Sequence, residues 1–310
     1  MIGLVARRVA WAVLVAWFAA TAAFAVVALV PADPVKALLG PHATPDAIER
    51  ARAHYCLDEG VAGRYACWIG NAARGDLGES YRTRRPVGEL LADRIWPTAQ
   101  LALAAIFLQL AIGVPLGVFA ARRRGRWPDR AVSFAGLVAQ SAPPFVVGTA
   151  LVYLLAYRFD VFPTSGYGEG VLDRLRHLVL PALTLATAGV AYYARVVRSE
   201  LADTLAEDYV RTARAKGLPE RTVVLRHALR PALGPLLALI GLDLGVLLGG
   251  AVVVEAIFAW PGLGREVLQA VVEVDTPLVV AVVFLASLAI AAANLVVDLA
   301  MFWIDPRVRR

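Results

Sequence analysis

The sequence predicts an all-α membrane protein of six transmembrane helices. Both termini are cytoplasmic, a large extracytoplasmic loop follows span one, and a charged helical segment joins spans four and five. Three observations predict this. The 310-residue chain is 59% hydrophobic, above the apolar share of a soluble domain. Its apolar residues gather in six runs, most of them near or beyond the roughly 20 residues that cross a bilayer as a helix. Its basic residues fall mainly on one side of those runs.

Val9–Val30 is 22 residues without a charge, behind Arg7 and Arg8. Small residues at Ala22–Ala25 would suit a signal-peptide cleavage site, but the run exceeds a usual signal core and five spans follow. It reads as a retained first span. Pro31–Ile95 is then an outer loop too long to be a turn. Pro45 opens a helix there, PDAIERARAHY, with Asp46 and Glu49 in its first turn. Cys56 and Cys67 lie in the same loop, away from the reducing cytosol. On one straight helix their eleven-residue separation would span about 16 Å, beyond disulfide reach. Gly60 and Gly63 permit a turn that closes the distance, so a bridge and two separate thiols both fit.

Arg85–Ala105 reads as an amphipathic outer helix followed by Pro97, which opens the second span, Pro97–Ala121. The tight basic turn ARRRGRWPDR leads to a third, Ala131–Tyr157. Gln140, Ser141, Pro143 and Pro144 fall inside it. Carbonyls freed by proline are tolerated in a membrane only inside protein or beside a wet cavity. Gln140 and Ser141 are therefore candidates for a solute pathway, with a packing kink as the alternative. Leu178–Ala194 forms the fourth span. Pro231–Val254, the fifth, contains only Asp243, and Pro277–Ile304, the sixth, only Asp298. A carboxylate at such depth is protonated, paired or wet. Asp243 thus contacts a solute's amino group or bonds within the bundle. Gly241, Gly245, Gly249 and Gly250 admit a close helix neighbour. Trp260-Pro261-Gly262 reads as an interfacial turn, where Trp is favoured.

With a cytoplasmic amino terminus, the inner segments hold 18 basic and 7 acidic residues against 13 and 15 outside. The net charge of +6 reflects this topology, and no nucleic-acid partner is expected.

Ser199–Arg230 is the most strongly charged stretch between spans. Leu201, Leu205, Tyr209 and Ala213 recur every four residues with Ala206 and Val210 beside them, predicting an apolar helical face. Glu207 and Arg211 are spaced as an i,i+4 pair. Gly217 stops this helix and Pro219 starts a second, basic one. The bland alternative is a solvated loop obeying the positive-inside tendency.

DYVRTARAKGL (Asp208–Leu218) followed by RHALRPALGPLL (Arg226–Leu237) resembles the cytoplasmic signature loop of ABC-importer permeases, most closely those for oligopeptides, dipeptides and nickel. The general family pattern is Glu-Ala-Ala, three residues, then Gly. Here those positions are Arg211, Thr212, Ala213 and Gly217, so only the second Ala and the Gly match, Arg-Thr-Ala being associated with the peptide subfamily. The resemblance implies a coupling helix that docks on a separate ATPase, with Leu205, Glu207, Asp208, Tyr209, Arg211, Thr212, Ala213, Lys216 and Gly217 as its residues. It extends over Leu57–Tyr81 with its Gly75–Gly78 element, Arg85–Ala105, the prolines of span three, Glu255–Gly264 as an outer re-entrant element, and Asn294, Asp298 and Asp305–Arg310. It divides the chain into a first helix (1–30), an outer subdomain (31–95), a five-helix core (96–305) holding the coupling loop (199–230), and a tail (306–310).

The implied setting is the bacterial cytoplasmic (inner) membrane. The implied partners are a homologous second permease, two ABC ATPase subunits and an extracytoplasmic solute-binding protein, which docks on an outer loop that otherwise only shields the pore mouth. The implied cargo is di- or oligopeptides or similar small solutes, nickel and glutathione among them. No cofactor is expected on this chain, ATP and magnesium belonging to the partners.

Chemistry of its own is not expected. A phosphate-binding loop needs Gly-Lys-Ser/Thr, whereas Lys36 follows Val35 and Lys216 follows Ala215. His42, His54, His177 and His227 are scattered, and no metal-binding or nucleophile motif occurs. Two rivals differ in class. An ion-driven carrier predicts paired interrupted helices and ATP-independent uptake. An intramembrane hydrolase predicts a single essential serine.

Overall fold

The computed structural model describes residues 2–29, 35 and 44–304, and no strand occurs among them. The predicted tail Asp305–Arg310, much of 30–43 and the side chain of Asp298 lie outside the described residues. Helices α1 (Ile2–Ala28), α2 (Pro45–His54) and α3 (Val61–Ala72) are followed by α4 (Val87–Ala121). Next come α5 (Trp127–Ser141), α6 (Pro144–Leu151) with a π-helical extension to Arg158, and α7 (Gly170–Thr204). Helix α8 (Asp208–Ala215), the single turn α9 (Glu220–Thr222) and a π-helical turn, Val223–Ala228, lead into α10 (Leu229–Ile257). Helices α11 (Leu263–Val272) and α12 (Thr276–Ile304) complete the described chain.

Four helical stretches are long and apolar enough to cross a membrane: Arg7–Ala28, Val87–Ala121, Gly170–Thr204 and Thr276–Val297. Two bent helix pairs raise the number to as many as six if each counts as one span. Trp127–Ser141 and Pro144–Arg158 meet at 102°, Glu220–Pro231 and Gly234–Gly245 at 57°. The third predicted span is therefore not one straight helix. Pro144 bars Pro143 from helical backbone, and Pro143 bars Ala142 likewise. Both are extended, at φ −76°, ψ 123° for Ala142 and φ −60°, ψ 138° for Pro143. Pro97, by contrast, opens nothing, because α4 runs through it from the outer segment into the span. The fourth span is lengthened at both ends, to 35 residues.

The chain divides into two compact units, Met1–Thr98 with Pro261–Ala292, and Ala99–Trp260 with Ala293–Arg310. In the first, the outer segment is joined to α11 and the start of α12 instead of standing alone. Val87, Leu90 and Leu91 bury against Ala270, Leu278 and Val282. Around that core Arg82 pairs with Glu266 and Glu273, each at 3.0 Å, and Arg94 with Glu266 at 3.2 Å. Ser80 donates to the buried Asp275 carboxylate at 2.5 Å. Cys56 and Cys67 are bonded, their Cα atoms 6.6 Å apart. Residue 56, at φ +54°, makes the turn before α3.

In the second unit α7 is the interior helix, packed by α5, α6 and α10. Half of its most apolar window is buried against 17% for α1, so α1 keeps an apolar surface, Trp11 and Phe18 included, for lipid. Helix α4 crosses α7 at glycines. A Cβ on Gly117 would stand 2.6 Å from the Ala194 carbonyl oxygen and 2.7 Å from Val197 Cβ, and one on Gly113 2.9 Å from the Val190 oxygen. Gly241, anticipated as a close-approach site, has Asn294 Oδ1 2.9 Å from where its Cβ would lie. Trp260 is fully buried, edge-on to Tyr167 at 4.7 Å. It is a core residue at the start of the expected turn after α10.

Candidate coupling helix and transport pathway

Helix α8 is short, and its ends are well specified. Glu207 is extended at the N-cap (φ −68°, ψ 149°), Asp208 lies in the first turn and Arg214 in the last, each complementing the helix dipole. Gly217 adopts φ +76°. Its N–H donates to Arg214 O at 2.9 Å, and that of Leu218 to Ala213 O at 3.3 Å. This pair of bonds is the Schellman closure that a left-handed glycine permits.

The predicted apolar face is inward at Val210 and Ala213, with Leu205 packed beside them, but not at Ala206 and Tyr209, which are exposed. Leu201 belongs to α7 and Leu205 caps it, so the four-residue series runs across a break in the helix. Val210 and Ala213 are the residues turned inward, against Val223 with Leu205 beside them. Tyr209 is 46% exposed. Its hydroxyl donates to the His227 carbonyl at 3.5 Å, and burial, then the Glu207 carboxylate, raises its pKa. Ala213, one of the residues that the resemblance gives to the coupling helix, is buried and seats it against Val223.

The outer face carries Glu207, Asp208, Arg211, Thr212, Lys216 and Gly217, all exposed. Arg211 pairs with Asp208 at 3.3 Å rather than with Glu207. Thr212 donates back to the Asp208 carbonyl at 3.0 Å. Arg214 holds Glu220 through two bonds, of 3.2 and 3.0 Å. These lock α8 to α9 across the glycine corner. The turn before α5 is fixed separately, where Gly125 (φ +78°) donates to Asp129 at 2.9 Å and Asp129 pairs with Arg198 of α7.

The pathway candidates separate. Ser141, exposed, donates to Leu137 O at 2.9 Å at the end of α5, next to the half-buried Gln140. Among the described residues, no hydrogen bond or ion pair joins either to Asp243. Asp243 on α10 lies near Gln109 of α4 and Tyr193 of α7, and its Oδ2 and the Tyr193 hydroxyl are buried without a hydrogen-bond partner among the described residues. Gln109 is 1% exposed and Tyr193 fully buried. Gln109 occupies the space a side chain on Gly189 would need. Sequence reading missed Gln109 and Tyr193. An amide deep in the uncharged run Pro97–Ala121, the second of its two glutamines, was the available signal. The Gly113–Gly117 crossing was also missed, although GVPLG has the G-x-x-x-G spacing.

A family model described as "Binding-protein-dependent transport system inner membrane component" matches residues 113–310, and its N-terminal companion matches residues 1–102. The chain is 40% identical over 286 residues to the glutathione transport system permease protein GsiC of Escherichia coli O6:H1, with 92% of each chain covered. It is 39% identical, at the same coverage, to GsiC of E. coli K12 and of Shigella dysenteriae serotype 1. Among solved structures it is similar to an inward-facing MetNI methionine ABC transporter chain. The TM-score is 0.55 at 20% identity, covering 70% of this chain and 96% of that one. That last likeness is one of fold.

Proposed function

The chain belongs to the binding-protein-dependent transport system inner-membrane component family, as a multi-pass permease subunit of an ABC importer in the bacterial inner membrane, and from that premise we propose how it works. ATP hydrolysis in this family resides in separate subunits, and ATPase and solute-binding partners follow from membership. In our reading six spans cross the membrane, the two bent pairs counting as one span each, with both termini cytoplasmic. A homologous second permease completes the pathway, and this chain holds no cofactor. The cargo is a small peptide, glutathione-like tripeptides included, as the names of the relatives suggest.

Helix α8 is the coupling helix. The observation that carries this reading is its division of labour: Val210 and Ala213 fix its back, while Asp208 and Arg211 keep side chains 96% and 71% exposed. A surface so held passes on displacement by a docked ATPase instead of absorbing it. Asp243, Gln109 and Tyr193 position spans two, four and five about one another, and Gln140 and Ser141 border the solute's route at the span-three bend.

The test is cross-linking in the assembled transporter. Thr212→Cys is expected to give a permease–ATPase adduct with a short bifunctional thiol reagent, and a bulky adduct there should abolish uptake. Uptake untouched by that modification, with no adduct formed, would sink the assignment. Competition of labelled glutathione uptake by di- and tripeptides, but not by free amino acids, is the expected cargo result.

A further inference from the structure

At the end of α4 the second unit contains a groove of about 550 Å3 that coupling does not use. Its wall is apolar, built by Val118 of α4 and by Leu225 and Leu229 of the turn and helix that follow α9. Its rim is basic, built by Arg122, Arg123 and Arg126. Two properties make this more than an inner-side excess of positive charge. First, all three arginines are exposed, and among the described residues none is in an ion pair, whereas their neighbour Arg124 pairs with Asp203 at 3.2 Å. Second, Arg123 lies over the Phe119 ring, 4.0 Å from its centroid. Stacking holds the guanidinium at the mouth of the groove and leaves its edge N–H donors for an acceptor. Leu225 leaves half of its surface uncovered.

An apolar trough ending in unpaired guanidinium groups fits a molecule with a hydrocarbon body and an anionic oxygen-rich head. We propose that it binds an anionic phospholipid of the cytoplasmic leaflet, its phosphate on Arg122, Arg123 and Arg126 and an acyl chain along Val118, Leu225 and Leu229. The bilayer is the source, because a free phosphate would leave the apolar wall wet. The proposal rests on the topology given above, which puts the end of α4 at the cytoplasmic face. Occupancy bears on coupling as well. Leu225 belongs to the same short turn as Val223, which packs against Val210 and Ala213 of α8. A seated lipid braces that turn from the groove side, so ATPase activity of the assembled transporter should depend on anionic lipid.

The complete transporter, co-purified with its ATPase chains in mild detergent, is examined by native mass spectrometry during stepwise delipidation. Cardiolipin or phosphatidylglycerol is expected to stay on the permease after phosphatidylethanolamine has left. The triple change Arg122→Gln, Arg123→Gln and Arg126→Gln should lower the retained anionic lipid about tenfold. Leu225→Asp should do the same with the arginines intact. Co-elution of the ATPases is scored separately, so failure to assemble counts against the coupling reading and not against this one. Equal retention in parent and variants would overturn the proposal, as would equal retention of phosphatidylethanolamine. Displacement of the lipid by millimolar inorganic phosphate would reduce the groove to a simple anion cradle and overturn it. So would a photoreactive group at residue 225 that captures a neighbouring protein chain rather than lipid.

Discussion

Glu266 accepts from Arg82 and forms an ion pair with Arg94 while only 7% of its side chain is exposed. Replacing it by alanine removes a partner of Arg94 and one of the two acidic partners of Arg82, whose side chains are 34% and 37% exposed, so solvent softens the loss to about 1 kcal/mol. Glu266→Ala is therefore expected to make the first unit protease-sensitive and to lower its melting temperature, while Glu273→Ala, at a more exposed partner, does so far less. Tyr55 and Tyr81 give a pH signature. Burial, then a hydrogen bond to Glu79, pushes the Tyr55 phenol up to about 12; burial does the same to Tyr81. Folding favours the protonated rings, so this contribution is complete below about pH 10, the free phenol value, and is lost as pH rises toward 12. Ultraviolet difference titration should show these two among the late phenols, and Tyr81→Phe should remove one of them. At this scale residue types were legible but long-range partners were not. Arg82 and Glu266 are 184 residues apart, and no local period announces such a pair.

Helix α8 shows what a sequence period reveals and where it stops. Gly217 and the charges at either end located the helix, because caps and dipole terms are local. Its inward residues Val210 and Ala213 were within the predicted face, but its start was not legible, since Leu201 and Leu205 continue the spacing while lying in α7 and at its cap. Val210→Asp is expected to release α8 from Val223 and stop coupled ATP hydrolysis with expression unchanged; Tyr209→Phe should leave coupling nearly intact. The α4–α7 crossing gives a second test. Gly117→Leu forces a side chain into the Ala194 backbone and should cost about 3 kcal/mol or expel the helix. Thermal stability in detergent measures it, with Gly88→Ala, where nothing stands within 4 Å, as the silent control. The bend at Pro143–Pro144 was foreshadowed by composition, but its 102° angle came from two consecutive extended residues, which a hydropathy plot does not register.

For the whole molecule, hydropathy and charge bias identified a polytopic helical protein because both follow from the bilayer alone. The division into two units was not legible. It follows from contacts such as Ser80 with Asp275 and Val87 with Ala270, which join distant parts of the chain. The Cys56–Cys67 bridge closes a loop of eleven residues, and in the chain-entropy view such a link contributes about 3 kcal/mol. Changing both cysteines to serine should loosen the first unit without affecting α8. The bridge also carries information about biogenesis. In the proposed topology, which puts residues 45–72 on the outer side, neither sulfur meets an oxidising compartment until that segment has been translocated. Each oxidised molecule therefore records that its first loop has been delivered. In a pulse-labelled culture, the time at which the thiols become resistant to alkylation would date the crossing of that loop, independently of whether the finished transporter carries anything.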